Sequence, residues 1–133
     1  MSRIYLTHCS AKKDKSLRYS SKQVSPDGLY IAAPTQRFMN MCKNKNVKWA
    51  IFSDKYGIWF PQEKHVWYEK NPDTVTAQEF DNLVKDFENK LMDYDEIYFY
   101  YNPGRFHRLY DRLLNTVKIE DRIFRISHLS DIE

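Results

Sequence analysis

Residues 76–101, TAQEFDNLVKDFENKLMDYDEIYFYY, combine a capped helix with a strand that follows it directly. Thr76 and Glu79 have the spacing of a capping box, in which each side chain accepts a hydrogen bond from the other residue's backbone amide. Apolar residues then recur at helical spacing, at Phe80, Leu83, Val84, Phe87 and Leu91. The apolar and aromatic run at 96–101 is typical of a buried strand. A helix that leads straight into a strand is half of a βαβ unit.

The same alternation extends to both sides of this segment. Three further short apolar runs predict strands at residues 3–7 (RIYLT), 47–53 (VKWAIFS) and 122–127 (RIFRIS). One helix is predicted to begin at Pro34 and another at Asn102 and Pro103, because asparagine is a preferred N-cap and proline suits the first turn. The segments 8–33 and 54–75 are predicted to be long connecting loops.

This order of elements predicts the fold class. Strands that alternate with helices favour a parallel sheet covered by helices. A chain of 133 residues is the length of one domain. We therefore predict a single α/β domain over residues 1–133, a three-layer Rossmann-like fold with a mostly parallel sheet of four or more strands.

Composition excludes several classes of protein. Aromatic residues make up 16% of the chain, enough to build a packed core and to exclude disorder. No apolar run approaches the length of a membrane span or a signal peptide, and there are two cysteines, so a reducing, cytoplasmic location is predicted. Three scattered glycines exclude a GxGxxG fingerprint and a phosphate-binding P-loop. No spacing of metal ligands is present, and the sequence predicts neither a cofactor nor a metal site.

Charge is distributed unevenly along the chain. Residues 1–50 carry ten Lys or Arg and two acids, whereas residues 51–133 carry eleven Lys or Arg and sixteen acids. The first segment has a net charge of +8 and the second −5. A basic segment favours a partner that carries phosphate, such as a nucleotide or a nucleic acid. A solvated, lysine-rich loop is the alternative explanation.

Polar residues gather where the predicted strands end. In parallel sheets, ligands bind beyond the carboxyl ends of the strands, and this rule places Thr7, His8 and Cys9 at a candidate site. Lys12 and Lys13 follow Cys9, and such cations lower the pKa of a thiol and favour the nucleophilic thiolate. Cys9 and Lys13 are thus predicted as catalytic residues, with Ser10 and Lys12 as binding residues. A packing cysteine beside solvated lysines is the alternative.

A second group follows the strand at 47–53, and a third follows the strand at 96–101. Gly57 is predicted to take a positive φ in a tight turn, while Lys55 would bind phosphate and Tyr56 would stack on a ring. Arg105 would strengthen anion binding at a helix N-terminus. The alternatives are an ordinary turn with a core tyrosine, and plain helix capping.

Two short motifs resemble a family of small α/β domains found in bacteria, archaea and phages. The first is C-S-x-x-K, at Cys9, Ser10 and Lys13. The second is S-x-K-Y-G, at Ser53, Lys55, Tyr56 and Gly57, and a Leu-Tyr pair, Leu29 and Tyr30, lies between the two motifs. The second motif is also similar to that of the YaaA peroxide-stress family, through Tyr56, Gly57, Pro61, Glu63 and Tyr68. Archaeosine synthase, which acts on a 7-deazaguanine base in tRNA, has a related Cys-Lys-Lys motif, although Ala11 stands here where the family has a lysine.

The resemblance implies an enzyme that modifies a nucleobase, a nucleotide or a nucleic acid. Its reacting pair would be Cys9 and Lys13, and its binding residues would be Ser10, Lys12, Tyr30, Ser53, Lys55, Tyr56, Gly57 and Arg105. The alternative function is a non-catalytic module that binds a nucleotide or nucleic acid through the basic loop at 12–22. A third hypothesis is a protein-binding adaptor that exposes the aromatic segment 59–68. Dimerisation through that segment is also predicted.

Overall fold

The computed structural model describes residues 2–133 and shows an α/β fold. Within this range, the strands are β1 (Arg3–His8), β2 (Trp49–Ser53), β3 (Gly57–Trp59), β4 (Glu96–Tyr100) and β5 (Ile123–Ile126). The helices are α1 (Pro26–Leu29), α2 (Ala33–Lys45), α3 (Ala77–Leu91) and α4 (Arg108–Thr116), with short 3₁₀ turns between elements. The predicted α/β class is therefore confirmed.

The strands form one mixed sheet in the order β3-β2-β1-β4-β5. Strand β1 is central and runs parallel to both β2 and β4, and β5 runs parallel to β4. Strand β3 lies at the edge and runs antiparallel to β2. The predicted mostly parallel sheet is confirmed, and the sheet also contains an antiparallel edge strand that was not predicted.

Helices cover both faces of the sheet. Thr7 and His8 are neighbours in β1, so their side chains point to opposite faces. Tyr100 is in register with Thr7, and its ring stacks on Phe38 of α2. Phe52 is in register with His8, and its ring packs edge-on against α3 and α4 through Phe87 and Tyr110. Helix α2 therefore lies on one face, and α3 and α4 lie on the other.

The capping box predicted for α3 is present. Thr76 Oγ1 accepts from the backbone N–H of Glu79 at 3.1 Å, and Glu79 Oε1 accepts from that of Thr76 at 2.9 Å. The predicted apolar stripe is buried at Phe80, Leu83, Phe87 and Leu91. The strand predicted at 96–101 is β4, which ends one residue earlier, at Tyr100.

Three local predictions were wrong. The segment 54–75 is not only a connection, because it contains β3. Helix α4 begins at Arg108 with His107 as its N-cap, and not at Asn102 and Pro103. Asn102 does accept a hydrogen bond as a cap, but it caps a 3₁₀ turn that ends at Arg105. The segment 8–33 is also more ordered than a plain loop, since it contains α1 and a 3₁₀ turn.

No helix among residues 2–133 is long and apolar enough to span a membrane.

Candidate functional site

A buried polar cluster lies where β1 and β2 end. Cys9 follows β1 and is 8% exposed, and Asp54 follows β2 and is 4% exposed. The Cys9 thiol donates to Asp54 Oδ1 at 3.6 Å, and Cys9 Sγ lies 3.2 Å from the hydroxyl of Tyr110 in α4. The backbone N–H of Cys9 donates to the carbonyl of Phe52 at 2.8 Å, which fixes the strand ends relative to each other. The thiol is thus held between a carboxylate and a phenol.

The environment of Cys9 disfavours its thiolate. Burial and the negative charge of Asp54 raise the pKa of Cys9 to about 11. The predicted lowering of the thiol pKa by Lys12 and Lys13 is not found: desolvation and the neighbouring carboxylate raise the pKa of Cys9 instead. Burial also raises the pKa of Asp54, while the Cys9 thiol and Lys13 act against that shift.

A chain of hydroxyl groups continues the cluster. The Tyr30 and Tyr68 hydroxyl oxygens are 2.6 Å apart, and Ser53 Oγ donates to the Tyr68 hydroxyl at 3.1 Å. Ser53 Oγ also accepts from the backbone amides of the two residues after Asp54, at 3.0 and 3.1 Å. Tyr30 and Ser53 were predicted as binding residues, and the structure brings both to the cluster of Cys9 and Asp54. Their hydroxyl groups are engaged with protein atoms there.

Lys13 lies in this cluster without a polar partner. It is only 7% exposed, because it pairs through its backbone with Tyr30. Its Nζ stands 4.5 Å from the centre of the Tyr68 ring, a cation–π contact. Its Nζ makes no ion pair or hydrogen bond with residues 2–133. The ammonium group therefore reaches the solvent, because no fully buried side-chain nitrogen among residues 2–133 lacks a hydrogen-bond partner. It is free to bind an anion there.

The free side of Lys13 borders a basic cavity of about 540 Å³. We call it the basic cavity; its lining includes Lys13, Lys15, Arg18, Trp67, Glu69 and Lys70. Glu69 is paired with Arg18 at 3.4 Å, and Lys70 is paired with Glu79 of α3 at 2.6 Å. Lys13 and Lys15 are the cations of this lining that form no ion pair with residues 2–133.

Lys55, Tyr56 and Gly57 do not reach the basic cavity. They line another cavity of about 310 Å³ together with Asp54, Glu79 and Asp86. Three carboxylates make that lining a poor environment for the phosphate predicted at Lys55. The Tyr56 ring is already stacked on His65, with centroids 4.0 Å apart, and its hydroxyl donates to the carbonyl of Val66.

The remaining predicted residues lie elsewhere. Lys12 is exposed on the loop after β1. Ser10 and Arg105 line a third cavity, at the ends of β1 and β4. Arg105 ends a 3₁₀ turn, so the prediction that it lies at the N-terminus of a helix was wrong. Ligand binding by these residues stays a prediction.

The aromatic segment 59–68 is mostly packed into the protein. Trp59 and Tyr68 are buried, while Phe60 and Trp67 are half-buried. Trp59 Nε1 donates to the carbonyl of Glu63 at 2.9 Å. Trp67 leaves part of its ring available in the basic cavity.

The sequence alone assigned no role to Asp54 or Tyr110, and Tyr68 entered only as a motif residue. Nothing local in the sequence shows that these residues would meet Cys9. Among residues 2–133, no group of three or more His, Cys, Asp or Glu side chains is placed to hold a metal ion. No family model, curated protein or solved structure matches this chain.

Proposed function

We propose that this protein binds the phosphate group of a nucleotide or a nucleic acid in the basic cavity. The observation that carries the proposal is Lys13, a mostly buried side chain whose ammonium group reaches the wall of the cavity and forms no ion pair with residues 2–133. A phosphate would supply the missing partner with charge-assisted hydrogen bonds. Lys15 lines the same wall and would bind the same phosphate.

The aromatic wall of the basic cavity favours a nucleotide over a bare anion. Trp67 is half-buried there, and a partly exposed indole can stack on a base. Both cations without partners come from the basic first segment of the chain. A phosphate beside Lys13 and a base beside Trp67 match the two groups that a nucleotide presents.

Lys13→Met should weaken binding about 10- to 100-fold, because it removes a charge-assisted contact. Binding would be measured by calorimetry with ADP and by fluorescence anisotropy with a single-stranded RNA of about ten nucleotides. Lys85→Met is the control, since Lys85 is exposed on α3 and forms no ion pair with residues 2–133, and it should change affinity by less than about threefold. Equal effects of the two variants would mean that general charge, and not the buried site, governs binding.

Stability provides a second readout on the same variant. Lys13→Met keeps the apolar stem in its mostly buried position and removes a charge that forms no ion pair, so the free protein should be as stable as the parent or more stable in urea unfolding. A variant that folds as well but binds more weakly would separate a ligand role from a structural one. Loss of folding would instead show that the cation–π contact with Tyr68 is structural.

A modifying enzyme is the second candidate, and the contact between Cys9 and Asp54 favours it. A carboxylate that accepts the thiol hydrogen bond is placed to take the thiol proton as the sulfur adds to the carbon of a C=N bond in a base. The π electron pair of that bond moves to the ring nitrogen, which takes up a proton from solvent. Cys9 and Lys13 would then be the reacting pair. Because the pKa of Cys9 is high, the thiol would lose its proton only when a ligand is bound.

Cys9→Ala separates the two candidates. For the enzyme, turnover of a base-containing substrate should fall by orders of magnitude while affinity changes little. For the binding module, affinity for ADP and RNA should change less than about threefold, and no product should form with either protein. A large loss of affinity together with unchanged stability would contradict both, since neither gives the thiol a direct role in binding phosphate.

The Rossmann-like three-layer architecture belongs to this proposal as well. Helices on both faces and a central parallel β1 support it, and nucleotides are frequent ligands of such folds. A cytoplasmic location and a homodimer stay predictions of the sequence.

A further inference from the structure

A third cavity opens where the course of the chain reverses across the sheet. From β1 the chain passes to β2 on one side, and later to β4 on the other side of β1. The connections that leave the carboxyl ends of β1 and β4 therefore run to opposite faces of the sheet, and ligands of open α/β sheets bind at such a point. A cavity of about 310 Å³ lies there, and we call it the switch-point cavity.

The switch-point cavity contains polar groups without protein partners. Thr35 in α2 lines it and is 6% exposed, and its Oγ1 makes no hydrogen bond with residues 2–133. The hydroxyl is therefore open to the cavity, because no fully buried side-chain oxygen among residues 2–133 lacks a hydrogen-bond partner, and it can donate to a ligand there. His8 also lines the cavity, although its side chain leaves β1 on the face of α4, where the ring stacks on Tyr110 with centroids 4.9 Å apart. Its tautomer is fixed, because Nδ1 donates to the carbonyl of Cys9 at 2.8 Å. Nε2 is left as an acceptor.

The electrostatics of this cavity favour an anion. Helix α2 begins at its rim with Ala32 as the N-cap, and no side chain caps the free amides. A helix N-terminus carries partial positive charge. Arg37 and Arg105 also line the cavity and form no ion pair with residues 2–133. No aspartate or glutamate belongs to the lining.

We infer that the switch-point cavity binds a phosphomonoester of a single-ring compound, as in a pyrimidine nucleoside monophosphate. The phosphate contacts Thr35 Oγ1, the start of α2 and the two arginines. A ring N–H donates to His8 Nε2, and Tyr101 covers the ring. The volume is at the lower end of the range for small-molecule pockets and suits one ring with its phosphate.

This site is separate from the basic cavity. The loop after β1 divides the two: Ser10 lines the switch-point cavity, and Ala11 and Lys13 line the basic cavity. The inference uses neither Lys13 nor the thiol of Cys9. It therefore does not depend on the proposed function.

The test is calorimetry with uridine 5′-monophosphate, whose ring carries the required N–H, with uridine and inorganic phosphate as partial ligands. Thr35→Val removes one hydroxyl with little change of shape and should weaken binding about tenfold. Arg37→Gln and Arg105→Gln together should weaken it further. Arg108→Gln is the matched control, because Arg108 is 87% exposed outside the cavity, and it should have no effect.

His8 variants test the contact with the ring. His8→Asn keeps a donor near the carbonyl of Cys9 but loses the acceptor at the position of Nε2, whereas His8→Gln reaches that position. His8→Asn should therefore reduce the affinity gap between the monophosphate and inorganic phosphate, and His8→Gln should retain part of it. Circular dichroism would confirm that each variant is folded.

Equal affinity for uridine 5′-monophosphate in all folded variants, or no binding by the parent, would overturn the inference. Binding of inorganic phosphate as tight as that of the monophosphate would overturn the ring contact. Lys13→Met should leave this binding unchanged, and Thr35→Val should leave ADP binding in the basic cavity unchanged. Failure of one site is thus distinguishable from failure of the other.

Discussion

Replacing Gly57 with alanine should destabilise the protein by about 3 to 4 kcal/mol. Gly57 has a φ of +74°, where a non-glycine residue costs about 1 to 2 kcal/mol. An added Cβ would also lie 2.6 Å from Cγ of Asp86, so that side chain must move. Asp86 accepts from the backbone N–H of Ile58 at 2.7 Å and pairs with Lys90, and losing a buried N–H contact costs about 1 to 3 kcal/mol.

Urea unfolding would measure this loss, and Gly104→Ala is the matched control. A Cβ at Gly104 has Asn102 Oδ1 as its nearest neighbour, at 3.5 Å, so this variant should stay within about 0.5 kcal/mol of the parent. The double variant Gly57→Ala with Asp86→Ala should be less destabilised than the sum of the single variants, because the clash is absent. Strict additivity would contradict the proposed clash.

Cys9 should react with iodoacetamide at least about 100-fold more slowly in the folded protein than in urea, at pH 8 and in a Cys42→Ala background. The thiolate is the reacting form, and a pKa of about 11 leaves a much smaller thiolate fraction than the ordinary value of 9.0. Burial of Cys9 slows access further. Fast labelling below pH 7 that nucleotides block would contradict this and indicate an activated nucleophile.

The same pKa shift predicts how stability depends on pH. The folded protein holds the Cys9 proton more tightly than the unfolded chain, so the contribution is fully present below pH 9 and is lost as the pH rises to about 11. Comparing Cys42→Ala with the Cys9→Ala/Cys42→Ala double variant isolates the contribution of Cys9 from those of the other ionisable groups. Parallel stability curves between pH 8 and 11 would show that Cys9 is not the cause.

The elements that could be predicted from sequence are those with local signals. The capping box at Thr76 and the apolar stripe behind it mark α3, because both act within a few residues. Strand β3 has only three residues, and its pairing with β2 depends on the turn before Gly57, so periodicity could not reveal it. Asn102 illustrates the opposite error: its capping signal was real, but it caps a single 3₁₀ turn.

The candidate site was only partly predictable for a related reason. The strand-end rule placed Cys9, Lys13 and Ser53 at one edge, and these residues do meet. The strand-end rule does not say on which side of a loop a residue lies. It therefore placed Cys9, Lys13 and Ser53 in one group with Ser10, Arg105 and Lys55, which line other cavities. The contact of Cys9 with Tyr110 joins residues 101 positions apart, and no local pattern encodes it.

The central position of β1 also affects how the chain folds during its synthesis. Thr7 of β1 donates through its hydroxyl to the carbonyl of Tyr100, a residue 93 positions later. Contacts this distant form slowly, because a long stretch of chain must be ordered first. During translation β1 emerges well before β4 and has an open edge until residue 100 has left the ribosome. The growing chain therefore exposes an apolar strand for most of its synthesis, the state that chaperones recognise.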